Sequence, residues 1–258
     1  MIVFDGMSDI GVNRERQEDV IYQFALDTET FVFIVADGIG GIEGQYNPAS
    51  IACAEVINLI KRRFDREGTA IFDNADSLMD EAFYLANRVL GVFNAVNDER
   101  FPNFGCSMTC CVIHKEKVYF AHCGNTRLQW ITTNKNKEPK IIQMTVDHTA
   151  NYNEYLQNKI DEREYMESVA MHQLTSNIGS FAEPQIQTGS FDFKNGVIVI
   201  TSDGIHCALW QHIIMELVLT ADNTKSAVRA LIDAAKIRKY EDNMSTIVIF
   251  NEKSSEKG

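Results

Sequence analysis

The sequence lacks long hydrophobic runs and has little positive charge. Its longest apolar runs are about six residues, whereas a membrane-spanning helix needs about 20. Lys and Arg number 24 against 36 Asp and Glu, which gives a net charge of −12. This balance disfavours a general binder of nucleic acid or of anionic membranes. We therefore expect neither nucleic acid nor a membrane as a partner.

The sequence also lacks a basic N-terminal region and a C-x-x-C pair. No secretory signal is predicted, and we expect a cytoplasmic protein. The 6 cysteines lie mostly in apolar segments, which is typical of buried free thiols in a reducing compartment. A zinc site stays an alternative, although its spacing matches no standard zinc pattern. It would draw on Cys110, Cys111, His114, His122 and Cys123.

The chain of 258 residues can bury a substantial core, and its hydrophobic content of 45% is ordinary for a globular protein. It contains no internal repeat, low-complexity stretch or linker. We predict a single domain over residues 1–258, a monomer, with a frayed tail at 251–258.

Apolar periodicity predicts an alternation of strand groups and helices. Asn47 and Pro48 are typical of a helix start. An antiparallel meander is predicted in the middle of the chain, and the segment at 151–172 reads as polar and helical. A hairpin turn is predicted at 194–196. The predicted strands are 20–26, 31–36, 106–113, 117–123, 127–132, 140–144, 185–193, 196–201 and 246–250, and the predicted helices begin at 48 and span 75–96, 205–219 and 223–237.

This order of elements fits an α+β domain with largely antiparallel sheets. Two of the apolar strands end in Asp-Gly, at Asp37 and Asp203, and Asp242-Asn243 comes just before the last strand. Asp-Gly is a common turn, so each site can be explained separately by turn chemistry. Three acids at strand ends also suit a shared hard cation, Mg²⁺ or Mn²⁺, because only oxygen ligands are offered.

The order of several short motifs along nearly the whole chain resembles the metal-dependent Ser/Thr protein phosphatases, the type 2C or PPM family, in its bacterial form. No single motif is specific, but the complete series in this order is. The motifs are Gly11 to Asp19, Asp37 to Gly41, Gly105 to Met108, Gly124 to Arg127, Asp147 to Thr149, His172 to Gly179, Ser202 to Gly204 and Glu241 to Thr246.

The resemblance implies a four-layer α/β/β/α sandwich, with two central, mainly antiparallel sheets flanked by helices. It also implies a cleft with two Mn²⁺ or Mg²⁺ ions. Asp37 would bridge both ions and the carbonyl of Gly38 would complete one coordination shell. Asp203 and Asp242 would hold the other ion, and Glu18 would act through a water. The residues at 151–172 would form the flap that borders the cleft.

The resemblance assigns Arg14 to phosphate recognition, since a planar guanidinium can grip two phosphoryl oxygens. Asp19 is expected to order the backbone rather than touch a metal, and Asn243 to support the final loop. Gly38, Gly40 and Gly41 are interpreted as a loop that allows close backbone approach to the metals.

One departure concerns a third, weaker ion that bacterial members hold with an aspartate. Here that position is Asn125, so a third ion should bind poorly or not at all. His148 is expected to form structural hydrogen bonds and His206 to cap a helix. Some relatives place a proton-donating histidine just after the first Asp-Gly, where this chain has Ile39, so the leaving-group acid stays unassigned.

The implied function is hydrolysis of phosphoserine and phosphothreonine in proteins by a metal-activated water, with a Ser/Thr kinase as a further partner. A first alternative is a catalytically weak or dead relative that binds phosphoproteins as a scaffold. A second is another two-metal hydrolase, such as a nuclease or nucleotidase.

Overall fold

The apolar strands pair into two antiparallel sheets. This computed structural model describes residues 1–40, 46–96, 104–180 and 183–251. The strands are β1 (Ile2–Asp9), β2 (Val20–Ala25), β3 (Thr30–Ile39), β4 (Gly105–His114), β5 (Lys117–Cys123), β6 (Arg127–Thr133), β7 (Pro139–Gln143), β8 (Gln187–Asp192), β9 (Val197–Thr201) and β10 (Met244–Asn251). The five-stranded sheets have the orders β1-β10-β9-β6-β7 and β2-β3-β4-β5-β8.

Two pairs of helices pack on the outer faces of the sheets, and the shorter helices lie in the connections. In chain order, the helices are α1 (Pro48–Glu67), α2 (Ala75–Val96), α3 (Tyr152–Leu156), α4 (Glu162–Glu167), α5 (Asp203–His206), α6 (Gln211–Thr220) and α7 (Thr224–Ile237), with 3₁₀ turns at Gly68–Asn74 and Val169–His172. The start of α1 is as predicted, because the Asn47 side chain accepts a hydrogen bond from the Ser50 amide at 3.2 Å and Pro48 follows it.

The core is divided into three layers by the two sheets. One layer lies between α1, α2 and the β2-β3-β4-β5-β8 sheet, and includes Val56 and Phe83. The middle layer lies between the sheets, where Phe33 and Ile200 are fully buried. The third joins α6 and α7 to the other sheet and includes Leu231. The α+β prediction, with two antiparallel sheets and flanking helices, is confirmed.

One strand was not predicted, and two of the predicted connections are wrong. No strand was predicted at β1, yet Ile2–Asp9 pairs with β10 along its whole length. The predicted meander is not one sheet, because β4 and β5 belong to one sheet and β6 and β7 to the other. The predicted hairpin at 194–196 is also wrong, since β8 pairs with β5 whereas β9 pairs with β10 and β6.

The predicted helix at 205–219 is interrupted. The chain forms one short helix, α5, and restarts at α6 after Trp210, whose ψ of 152° is extended. The amide of Gln211, at the new start, donates to the Glu162 carboxylate at 3.3 Å. This carboxylate belongs to α4, so the break couples the last part of the chain to the segment at 151–172.

The segment at 151–172 is helical as predicted. It forms α3, α4 and the 3₁₀ turn, and its Tyr152, Tyr165 and Met171 make a small apolar cluster. Gly41 and the tail beyond Asn251 lie outside the described residues. None of the helices in the described ranges is long and apolar enough to cross a membrane.

Candidate metal centre

Three separate connections of the fold bring carboxylates to one end of the sheets. Asp37 lies near the end of β3, Asp203 begins α5 directly after β9, and Asp242 precedes β10. Asp19, just before β2, is hydrogen-bonded to Asp37. We call these four residues the acidic cluster. The sequence-predicted aspartates are therefore brought together.

The acidic cluster carries more negative charge than its surroundings balance. Burial, then the charges of Asp242 and Asp19, raises the pKa of Asp203 to about 7. Burial likewise raises the pKa of Asp19 to about 6. The pKa of Asp37 lies well above its ordinary range because of burial and then the charges of Asp203, Asp19 and Asp242. Such clustering suits a site that receives positive charge from outside the chain.

Two glycines allow the loops of this site to approach each other. Gly11 has a φ of 84°, and a Cβ there would lie 2.0 Å from the Asp242 carbonyl oxygen. A Cβ on Gly204 would lie 1.9 Å from the Asn243 carbonyl oxygen. No side chain fits at either position, so both glycines are needed to seat the residues 242–243.

Asn243 ties the first loop to the last. Its Oδ1 accepts from the Glu18 amide at 2.7 Å, and its Nδ2 donates to the carbonyl oxygens of Ile10 and Arg16 at 2.9 and 2.8 Å. Asp19 performs a similar task, since its Oδ2 accepts from the Ser202 hydroxyl at 2.7 Å. Asn243 therefore holds the backbone of the first loop, and Asp19 holds the residue before Asp203.

Arg14 contacts the acidic cluster through Asp242. Its Nη2 lies 2.8 Å from Asp242 Oδ1, and its Nε donates to the Glu241 carbonyl at 3.1 Å. The Arg14 side chain is 43% exposed, so an anion can approach its guanidinium from solvent. Burial by itself lowers the pKa of Arg14. The charge and hydrogen bond of Asp242, together with the charges of Glu18 and Asp37, outweigh burial, so the pKa is raised.

Glu18 and Gly38 lie side by side at the same edge. The Gly38 amide donates to the Glu18 carbonyl at 3.2 Å, and the Asn47 Nδ2 donates to the same oxygen at 3.0 Å. Asn47 was predicted only as a helix cap. It also holds the backbone of Glu18, a contact that no local sequence pattern indicates.

Asn125 turns its amide nitrogen toward the acidic cluster. Its Nδ2 donates to Asp203 Oδ2 at 3.1 Å, and its Oδ1 accepts from the Ser107 hydroxyl at 2.8 Å. A carboxylate only accepts, so this contact determines which end of the amide faces Asp203. The carbonyl oxygen is thereby directed to Ser107, which supports the expectation that Asn125 is a poor ligand for a third ion.

The histidines take structural positions. His148 Nδ1 accepts from the Gly124 amide at 3.1 Å, as expected. His206 is buried, and its Nδ1 lies 2.9 Å from the Thr201 hydroxyl, which is not a helix-capping contact. The alternative zinc site is not supported either, because its cysteines and histidines do not form a group of three or more ligand atoms within 4.8 Å of one another in the described ranges, whereas His172, Asp203 and Cys207 do. All cysteines are free thiols.

The donor set of the acidic cluster suits a hard cation. Asp37, Asp203 and Asp242 offer only carboxylate oxygens, which are the ligands that Mg²⁺ and Mn²⁺ prefer. Of the surrounding side chains, Arg14 supplies positive charge, and it contacts a single member of the cluster. The residues present therefore fit a divalent cation.

One buried pair was missed by sequence reasoning. Arg127 donates to both oxygens of Asp147 over 2.6–3.1 Å, and both side chains are almost fully buried. Gln143 Nε2 and the Tyr165 hydroxyl complete the shell of Asp147 at 2.7 and 2.8 Å. We call these four residues the ion-pair site. The signal available was one charged residue in each of two motifs: Arg127 ends the first, which begins at Gly124, and Asp147 begins the second, which ends at Thr149.

The site and fold match a known family. The family model described as protein phosphatase 2C matches residues 7–155, which is more than half of the chain. The chain belongs to the protein phosphatase 2C family. The match includes Arg14, Glu18 and Asp37, whereas Asp203 and Asp242 lie beyond it.

Relatives extend the likeness over the whole chain. Protein phosphatase PhpP of Streptococcus pneumoniae is 22% identical over 262 residues, which cover 97% of this chain and 98% of that protein. The Ser/Thr phosphatase Stp1 of Staphylococcus aureus has the same fold, with a TM-score of 0.82, 20% identity and coverage of 98% and 96%. The catalytic domain of the phosphatase PstP, in complex with 2 manganese ions, has a TM-score of 0.73, 18% identity and coverage of 96% and 97%.

Proposed function

We propose that this chain hydrolyses phosphoserine and phosphothreonine in proteins at a two-metal carboxylate site. The observation that carries the proposal is the convergence of Asp37, Asp203 and Asp242. Burial, and then the like charges of the cluster, raises the pKa of Asp37 and of Asp203. The manganese complex of PstP supports the choice of ion. Two Mn²⁺ or Mg²⁺ ions are the expected cofactors, and a third ion is not expected at Asn125.

Different residues of the acidic cluster would bind the two ions. Asp37 interacts with Asp203, Asp19 and Asp242, which suits a bridging role, and the carbonyl of the next residue, Gly38, would complete one coordination shell. Asp203 and Asp242 would hold the other ion, and Glu18 would contribute through a water. When bound, the ions would supply a nucleophile at neutral pH and charge for the phosphoryl oxygens, so that no covalent phosphoenzyme is needed.

We infer that Arg14 recognises the phosphoryl group. It now binds Asp242 with one nitrogen at 2.8 Å and a backbone carbonyl with another. A phosphate monoester offers oxygens that suit the same planar group, and the partial exposure of Arg14 leaves it accessible. We expect Arg14 to orient the substrate. A protonating residue for the leaving group is not assigned.

The proposed substrates are phosphorylated proteins, with a Ser/Thr kinase as the enzyme that opposes this one. The net charge of −12 means that local positive charge at the metal site, rather than the overall field, must attract a phosphorylated substrate. A cytoplasmic monomer remains our expectation.

The test is phosphate release from p-nitrophenyl phosphate and from a phosphothreonine peptide, with Mn²⁺ and then with a chelator. We expect Mn²⁺-dependent release from both, lost on chelation and restored by fresh Mn²⁺. Peptide binding without any release would indicate the scaffold alternative. Hydrolysis of cyclic dinucleotides but not of phosphopeptides would indicate a nuclease-like enzyme, and full activity of metal-free protein would exclude the proposed mechanism.

A further inference from the structure

A second group of metal-ligand atoms adjoins the acidic cluster. A nitrogen of His172, an oxygen of Asp203 and the Sγ of Cys207 all lie within 4.8 Å of one another. This group differs in chemistry from the acidic cluster because it offers nitrogen and sulfur as well as oxygen. We call it the mixed-ligand group.

Local structure explains why these side chains meet. Asp203 begins α5 and Cys207, four residues later, caps its C-terminal end. The Cys207 amide donates to the Asp203 carbonyl at 2.8 Å, so the two side chains lie on the same face of this turn. The Cys207 thiol also contacts the Met171 sulfur at 4.0 Å. That contact brings the end of the 3₁₀ turn at Val169–His172, and with it His172, next to α5.

Tyr240 supports the imidazole of His172. Its hydroxyl oxygen lies 3.5 Å from His172 Nδ1, and the two rings are stacked with centroids 6.3 Å apart. A partner on one ring nitrogen orients the ring and is typical of histidines that bind metals through the other. Tyr240 also lies two residues before Asp242, so both groups share the same loop.

We propose that His172, Asp203 and Cys207 form a site for a borderline-soft divalent cation, of which Zn²⁺ is the best fit. Thiolate, imidazole and carboxylate are the three zinc ligand types, and three protein ligands leave a fourth position for water. Mg²⁺ and Mn²⁺ prefer oxygen and bind such a set poorly. The group is accessible, since His172 is exposed and Cys207 is half-buried.

The alternative is a cluster held by hydrogen bonds alone. Without an ion, burial and then the charge of Asp203 raise the pKa of the Cys207 thiol well above its ordinary range, so the thiol is protonated. Zinc deprotonates a coordinating thiol outright. A metal–thiolate signal therefore separates the two cases.

Asp203 belongs to both the mixed-ligand group and the acidic cluster. An ion bound at the mixed-ligand group would occupy the carboxylate of Asp203, which the proposed phosphatase site needs. It would also link the segment at 151–172 to α5. Zn²⁺ is therefore expected to oppose activation by Mn²⁺. The binding itself does not depend on the proposed function, because it can be measured without any substrate.

The experiment uses Co²⁺ as a spectroscopic substitute for Zn²⁺. On the full-length protein we expect thiolate-to-cobalt charge-transfer absorption in the near ultraviolet, displaced by Zn²⁺. Cys207→Ser should abolish the band. His172→Ala should lower the apparent affinity for Co²⁺, measured by titration of the band, at least about tenfold, a change of 1.4 kcal/mol. His172 is exposed, so this variant should fold normally.

Two controls identify the site. Cys53→Ala removes a thiol that contacts Met108 on the opposite side of the fold, and it should leave the band unchanged. Asp242→Asn removes a ligand of the acidic cluster alone and should also retain the band, even if phosphate release is lost. Absence of the band in the wild-type protein would overturn the proposal, and so would a band that persists in Cys207→Ser.

Discussion

Asn125 and Arg127 are two residues apart, and each meets a different buried carboxylate. Asn125 brings a neutral amide to Asp203 at 3.1 Å, whereas Arg127 brings a full positive charge to Asp147. In the ion-pair site the negative charge of Asp147 is therefore neutralised by a residue of the same chain. The acidic cluster is left with excess negative charge. Burial, and then this charge, raises the pKa of Asp203 to about 7.

The difference separates a structural site from a functional one. A fold gains nothing from unbalanced buried charge, and proteins keep it mainly where function requires it. Neutralising a member of the acidic cluster should therefore cost activity but little stability. Neutralising a member of the ion-pair site should do the reverse.

The largest expected effect is on turnover. Asp203→Asn and Asp242→Asn each remove ligand charge, so phosphate release with Mn²⁺ should lose nearly all of its rate. In chelator, the thermal midpoint of Asp203→Asn should be no lower than that of the wild type, because the change relieves repulsion. Retention of more than about a tenth of the rate, a barrier change under about 1.4 kcal/mol, would contradict the ligand assignment.

The ion-pair site should show the opposite behaviour. Arg127→Ala leaves the carboxylate of Asp147 buried and unpaired, and breaking such a pair costs about 3–5 kcal/mol of unfolding free energy. Urea denaturation measures this loss. The double variant Arg127→Leu with Asp147→Leu should recover part of it, since no charge is then stranded. A loss under about 1 kcal/mol in Arg127→Ala would show that the pair is not structural.

Arg14 shares a property with each kind of site. It forms an ion pair with Asp242, as Arg127 does with Asp147, but its side chain is partly exposed and accessible to substrate. Arg14→Ala removes a charge-assisted contact worth about 1.5–3 kcal/mol, so kcat/KM should fall roughly ten- to a hundredfold. Inhibition by free phosphate should weaken in parallel, and Arg14→Lys should rescue only in part. Arg62→Ala, on the exposed face of α1, is the matched control. Unchanged phosphate inhibition in Arg14→Ala would remove Arg14 from the site.

The smallest effect concerns pH. Folded-state pKa values of about 7 for Asp203 and 6 for Asp19 exceed the unfolded values, so their contribution to stability is present at low pH and is lost as pH rises through that range. From pH 6.5 to 8, Asp203 and Asp19 should together lower the unfolding free energy of the metal-free protein by about 1 kcal/mol, and Asp37, whose pKa is also raised, should add to this loss.

Histidine titration acts in the opposite direction. Burial, then the charge of His148, lowers the pKa of His122 to about 3, and the unfolded side chain still binds part of a proton at pH 6.5, so the folded state gains stability as the pH rises. This contribution is the same with and without Mn²⁺, so the difference between the two pH profiles isolates the acidic cluster. Saturating Mn²⁺ should remove the cluster's part of the slope, because the bound cation, like the protons, neutralises its negative charge. Parallel pH profiles with and without Mn²⁺ would argue against cation binding at the acidic cluster.

Sequence patterns predicted most of the fold where local signals agree with the tertiary structure. The start of α1 at Asn47 and Pro48 is an example. The capping residue, the proline and the spacing of the apolar residues all predict a helix that begins there. The strand β1 escaped notice because Asp5 and Gly6 interrupt its apolar pattern, and its pairing with β10 across the whole chain stabilises it. The turn at Gly196 was recognised, but which sheet each flanking strand joins is decided by distant partners.

The candidate site was predicted from motif order, and the structure brings Asp37, Asp203 and Asp242 together. The contacts among them could not be predicted in the same way. The pairing of Arg14 with Asp242, and the use of Asn47 to hold Glu18, depend on loops that meet only in the folded chain. The ion-pair site likewise joins β6 to α4 through Tyr165, which no spacing in the sequence indicates.

The most direct test of the central claim is the number of Mn²⁺ ions that the acidic cluster binds at pH 7.5, measured by equilibrium dialysis of wild type and Asp37→Asn. Two bound ions are expected for the wild type, with binding weakened at least about tenfold when the bridging carboxylate is neutralised, a change of 1.4 kcal/mol. Wild-type protein that binds no Mn²⁺, or Asp37→Asn protein that binds it as tightly, would contradict the assignment of the cluster as a metal centre.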